Sequence, residues 1–293
     1  MTTQRAILFL LLLAAPSLLA IAQPVIEPIT QNPNAVLLRR IWTITGSDGN
    51  RVGDGCGPVG DINGDSISDF AVHFGEAAEW RVYLGGIPAP TMIPVWTYKA
   101  GSAVTSPIVA DAYGNGRHLV GFGTFIQINN GASRSTQIRL FESTGTTLAD
   151  TPVAIIDPYS RSQSILLNPA IVTAGNLDAE AGDEVILAAP YYRRNGKVDR
   201  TPEIWFYQGG TTFQADTPTK ILRDSEPTVS EQFYTAQVVD LDGDRHFDLV
   251  TVGQYAEGYK LKIWFGTETS PWTWTTPDRE IMDLPRKSGE GDT

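Results

Sequence analysis

The sequence predicts an all-β protein, a β-propeller of about four blades, and three observations lead there. A short acidic loop followed at once by an apolar run occurs four times along the chain. Each copy is followed by two further segments of strand-like composition, so each unit holds about four short strands. Gly, Pro, Thr and aromatic residues are plentiful, and no long segment carries the period of an amphipathic helix.

Loop one is Gly60-Asp61-Ile62-Asn63-Gly64-Asp65-Ser66-Ile67-Ser68-Asp69, and it leads into the run Phe70 to Phe74. Counted from Asp61, oxygen-bearing side chains stand at positions one, three, five and nine. Loop two, from Asp111 through Gly116, precedes Leu119 to Phe122. Loop three, Asn176-Leu177-Asp178 with Glu180 and Asp183, precedes Glu184 to Leu187. Loop four, Asp240-Leu241-Asp242-Gly243-Asp244 with Asp248, precedes Leu249 to Val252. Taking Asp61, Asp111, Asn176 and Asp240 as equivalent, the steps are 50, 65 and 64 residues.

The next segment of each unit contains Arg81 to Gly86, Ile138 to Phe141, Ile204 to Gly210 and Lys262 to Gly266. A last short strand is expected at Val95 to Lys99, Val153 to Ile156, Lys220 to Arg223 and Arg279 to Met282. The post-loop segments are continuous apolar runs, which suits strands covered on both faces by neighbouring sheets. A propeller blade has that environment. A stacked β-sandwich array fits less well, because a metal loop would not be expected between the first two strands of every unit.

Residues 1–22 stand apart from this plan. Arg5 precedes an apolar run from Ala6 to Ala15, and the segment ends Ala20-Ile21-Ala22. A basic start, an apolar middle and a small-residue end read as a secretory signal peptide cut after Ala22. A membrane anchor is the competing reading, and Pro16 with the Ala-x-Ala end argues for cleavage. Gln23 stands where a lipoprotein would have Cys. Residues 23–36 read as a linker, 37–285 as the repeat region and 286–293 as a polar, disordered tail.

Loss of Arg5 would move the net charge from −11 to −12. Such acidity repels phosphates, so nucleic acid is excluded as a partner. Cys56 is the only cysteine, so no intramolecular disulfide forms, and it is expected to be a small buried residue beside an inner strand.

The repeats resemble the FG-GAP/VCBS family, found in the propeller of integrin α-subunits and in many exported bacterial proteins. Three stretches carry the resemblance. They are Asp61-Ile62-Asn63-Gly64-Asp65 with Asp69-Phe70, Asn176-Leu177-Asp178 with Asp183 to Ile186 and Ala189-Pro190, and Asp240 to Asp244 with Asp248 to Val250. The resemblance covers roughly residues 38–285. It implies a ring commonly closed by seven blades, whereas four loop-bearing units are present. On that reading the sequence is part of a longer propeller, the alternatives being a small ring closed in an irregular way or an arc completed by another chain. Leu37 to Thr45 around Trp42 matches an outer strand.

Alternate acids with an intervening Gly suit a tight loop around Ca2+, which takes about six to eight oxygens. By the family pattern, loop one would ligate through Asp61, Asn63, Asp65 and Asp69, with the Ile67 carbonyl. Loop four would use Asp240, Asp242, Asp244 and Asp248, with the His246 carbonyl. In loop three, Asn176, Asp178, Glu180 and Asp183 form a weaker set, because the last acid arrives one position early. Loop two has Tyr113 and Leu119 where oxygens are needed, so a turn without calcium is expected. Two structural Ca2+ sites are therefore expected, with a third as a variant.

The loop acids are expected to be ligands rather than general acids, since a bound cation would keep them ionised. His73, His118 and His246 are the only histidines, and none has a partner at metal-motif or catalytic spacing. His73 is expected to pack within its strand. Tyr191 to Arg194 reads as a solvated turn between strands. Trp272 and Trp274 lie outside the strand pattern, as a ligand surface or as packing of an outer connection. The expectation is a non-enzymatic extracellular binding or adhesion module, with a protein or glycan ligand and no membrane span after cleavage. A propeller-based polysaccharide lyase or hydrolase, and a structural spacer of a larger surface protein, are the alternatives.

Overall fold

The computed structural model describes residues 43–44, 52–87, 89–99, 106–128, 133–158, 165–166, 171–178, 180–189, 192–194, 197–199, 202–224, 228–255 and 258–282. The signal segment, the linker, most of the Leu37–Thr45 strand and the tail lie outside them. Among the described residues, no helix is long and apolar enough to cross a membrane.

The described chain is all-β, with four antiparallel four-stranded sheets whose strands follow one another in sequence order. The first holds β1 (Val52–Gly60), β2 (Asp69–Phe74), β3 (Glu79–Tyr83) and β4 (Trp96–Lys99). The second holds β5 (Ile108–Ala110), β6 (Leu119–Ile128), β7 (Ser133–Glu142) and β8 (Ala154–Ile156). A short strand, β9 (Ile165–Leu166), intervenes before the third sheet. That sheet holds β10 (Ile171–Gly175), β11 (Glu184–Ala189), β14 (Glu203–Tyr207) and β15 (Lys220–Arg223). Between its middle strands run β12 (Tyr192–Arg194) and β13 (Lys197–Asp199). The fourth holds β16 (Thr228–Val239), β17 (Asp248–Tyr255), β18 (Gly258–Trp264) and β19 (Arg279–Met282).

The sheets lie in series, with β1 beside β5, β5 beside β10 and β10 beside β16. Their cores follow the same order. Trp80, Val82 and Trp96 of the first sheet pack with Val120, Phe122 and Phe141 of the second. Leu119, Ile138 and Leu140, on the second sheet's other face, pack with Val185, Leu187 and Trp205 of the third. Ile186, Ala188 and Phe206 then meet Leu249 and Trp264 of the fourth. Side chains alternate faces along a strand, so each inner sheet needs apolar residues at every position. Strands β11 and β14 are accordingly buried along their whole lengths.

Two local expectations need correction. Cys56 is exposed, although it lies on β1 opposite Val72. The β1–β2 register shifts between Val52 and Cys56, so simple alternation does not fix its burial. Tyr192 to Arg194 form strand β12 rather than a turn, pairing with β13 and β9 in a separate three-stranded sheet. Asn195-Gly196, a pair suited to a two-residue hairpin, joins the partners in sequence. His73 packs as expected, 1% exposed and edge-on to Trp80 at 5.2 Å between ring centres.

Candidate cation loops and an adjoining groove

Each acidic loop connects the first two strands of its sheet, and loops one and four fold alike. In loop one, Asp61 Oδ1 accepts the Gly64 N–H at 2.7 Å, and its Oδ2 accepts that of Ser66 at 2.7 Å. In loop four, Asp240 accepts the Gly243 N–H at 2.7 Å and the Arg245 N–H at 3.1 Å. The fifth-position acids follow suit, Asp65 accepting from Ile67 and Asp244 from His246, each at 2.8 Å. These bonds need left-handed backbone at two points. Gly64 and Gly243 supply it at φ 80° and 81°, and Ser66 and Arg245 adopt it despite their side chains.

The result in loop four is a convergence of like charges. One carboxylate oxygen from each of Asp240, Asp242 and Asp244 lies within 4.8 Å of the others. One half-buried and two exposed acids, held in a loop by backbone bonds, are the donor chemistry that a hard cation satisfies. Loop one has the neutral amide of Asn63 at the third position, where it donates to Asp65 Oδ2 at 3.0 Å. The backbone N–H groups of Ser66, Gly64 and Asp65 outweigh the effect of burial on Asp61 and hold its carboxyl below the ordinary range.

The ninth-position acids have a second task. Asp69 is 1% exposed, and its oxygens accept the Ile62 N–H at 2.8 Å and the Gly85 N–H at 2.7 Å. Asp248 is fully buried and accepts from Leu241 at 2.8 Å and Gly266 at 2.7 Å. Each acid thus ties its own loop to the end of the third strand. Burial raises the Asp69 carboxyl, against the two N–H bonds.

Loop three holds the equivalent acid where an aspartate-based reading does not look. Glu184, at position nine counted from Asn176 as one, accepts the Leu177 N–H at 2.7 Å and the Gly209 N–H at 3.2 Å. Burial pushes its carboxyl up to about 7. Counting from Asn176 with Glu admitted at position nine would have found it. Asp183, the early acid, instead reaches loop two, where its Oδ2 accepts the Asp111 N–H at 2.6 Å. Asn176 donates from Nδ2 to the Glu180 carbonyl at 2.5 Å, while Asp178 Oδ1 accepts the Glu180 N–H at 2.9 Å. In loop two, Asp111 accepts from Asn115 at 3.1 Å and Gly116 at 2.8 Å.

Loop three also meets the tryptophan pair of the fourth sheet. Trp272 Nε1 donates to Asp178 Oδ2 at 2.9 Å, and Gln208 Nε2 donates to the same oxygen at 3.3 Å. The pair divides its roles. Trp274 is 7% exposed, packs against Phe206 and donates to the Phe265 carbonyl at 2.9 Å. Trp272 is half-buried and lines a groove of about 670 Å³ with Asp178, Gln208, Thr211, Glu268 and Thr273. Lys220 Nζ fixes the backbone there by donating to the Trp272 and Trp274 carbonyls at 2.8 and 2.6 Å. No protein-family model matches the chain, and no curated protein is detectably similar to it.

Proposed function

We propose that the protein is an exported, calcium-stabilised binding module of the FG-GAP/VCBS type, its four sheets serving as blades of a β-propeller. The observation that carries the reading is the convergence of Asp240, Asp242 and Asp244 in a loop whose backbone bonding is repeated in loop one. Calcium held by loops one and four would neutralise their clustered acids and pin the turn between the first two strands of each sheet. The ligands are Asp61, Asn63, Asp65, Asp69 and the Ile67 carbonyl in loop one. In loop four they are Asp240, Asp242, Asp244, Asp248 and the His246 carbonyl. Because the unfolded chain lacks the assembled loop, binding free energy adds to folding free energy.

The sheets act as a platform, and recognition of an extracellular protein or glycan falls to side chains at their junctions. Export follows from residues 1–22. Thermal melting with and without chelator tests the calcium part of this reading. EDTA lowers the melting temperature, and excess Ca2+ restores it. An unchanged melting temperature on chelation would refute the reading.

A further inference from the structure

The groove between the third and fourth sheets has the composition of a saccharide site, and we infer that it binds a neutral or amine-bearing oligosaccharide. This deepens the binding role proposed above and rests on it. The volume, about 670 Å³, is that of a small-molecule site. Its lining combines the Trp272 indole with carboxylates, an amide and hydroxyls. Sugar rings present an apolar face that stacks on such a ring, and an edge of hydroxyls that pairs with oxygens and amides.

The polar groups are held in advance. Asp178 is 3% exposed, and one of its oxygens positions both the Trp272 indole and the Gln208 amide. No hydrogen bond among the described residues engages the Gln208 amide oxygen, which is left to accept from a ligand hydroxyl. Preorganised side chains lose little freedom when a ligand docks. The third position is half-buried in loop one, at Asn63, and exposed in loop four, at Asp242, whereas in loop three it is the buried Asp178. In the third loop this position supports the groove through its bonds to Trp272 and Gln208.

Charge sets the selectivity. Asp178, Glu180 and Glu268 line the groove, and neither Lys nor Arg is among the described lining residues. Uronates and sulfated sugars are repelled, and neutral or basic units are accepted. The corresponding junctions differ. Between the first and second sheets, a cavity of about 280 Å³ has no Trp, Tyr or Phe among its described lining residues, and Arg117 there pairs with Glu142 at 2.8 Å. Between the second and third, direct bonds cross the junction, including Gly210 N–H to the Ala112 carbonyl at 2.9 Å.

Calorimetric titration with cellohexaose, a glucosamine hexamer and a galacturonate hexamer tests the inference. Saturable binding is expected for one or both of the first two and not for the third. Glu268→Ala and Thr211→Arg, at exposed positions, should each weaken it by about tenfold. Trp272→Phe should do so as well, and the two exposed variants keep the test valid if Trp272→Phe fails to fold. Absence of binding by both non-acidic hexamers, equal affinity for the galacturonate hexamer, or unchanged affinity in the two exposed variants would overturn it. The groove contains no residue of loops one or four. A chain stabilised by Ca2+ that binds no sugar would therefore refute this inference alone.

Discussion

At Asp248 both carboxylate oxygens are committed to backbone N–H groups, one in the loop and one at Gly266. At Asp244, midway along the same loop, the carboxylate is exposed and lies among other acids. Both are proposed calcium ligands, but Asp248 also carries a structural task that Asp244 does not. Asp248→Ala leaves buried donors without an acceptor and should cost about 3 kcal/mol, in EDTA as well as in Ca2+. Asp244→Ala should leave stability in EDTA nearly unchanged and remove most of the stabilisation that Ca2+ adds at loop four. Urea denaturation of both variants, with and without chelator, separates the roles. Equal losses in EDTA would contradict the division.

At the scale of the element, the ninth-position acid and a glycine form a pair. Gly85, Gly209 and Gly266 each stand two residues past the third strand of their sheet, and each donates its N–H to Asp69, Glu184 or Asp248. A Cβ at these glycines would run into the Ser68 carbonyl, the Gly182 peptide and the Phe247 carbonyl respectively. In the second sheet Leu119 replaces the acid and Ser143 the glycine, so both members are lost together. Ser143 instead bonds the Ile62 carbonyl of loop one at 2.6 Å. Gly266→Ala should cost about 3 kcal/mol or more, because backbone must move. Gly64→Ala meets nothing within 4 Å and should cost only the left-handed strain, about 1 kcal/mol. Parallel chemical melts of the two variants check the ratio, and a mild effect at Gly266 would refute the pairing.

Much of this element plan was legible in the residues. The last strands of the third and fourth sheets occupy Lys220–Arg223 and Arg279–Met282, the ranges expected from their composition and spacing. The others begin one residue later than expected, at Trp96 and Ala154. The role of Glu184 was hidden by looking for aspartate, although its spacing from Asn176 was in plain view. The Trp272–Asp178 bond was not legible, because it joins residues 94 apart and depends on how neighbouring sheets pack. Asp183 was misplaced for the same reason, as its partner Asp111 belongs to another sheet. Short-range pattern determines the strands, whereas cross-junction partners follow from the packing of repeats.

For the whole molecule, stability comes from the three cores between successive sheets, with the loops fastening the ends of those sheets. Calcium is proposed to act at the first and last of the four, through loops one and four. Loop four has Asp242 where loop one has Asn63, so it offers one more carboxylate and should bind the ion more tightly. Calorimetric titration of Ca2+ into chelator-stripped protein measures this directly. Two bound ions are expected, the tighter lost in Asp244→Ala and the weaker in Asp65→Ala. No saturable binding, or binding unaltered by either substitution, would contradict it.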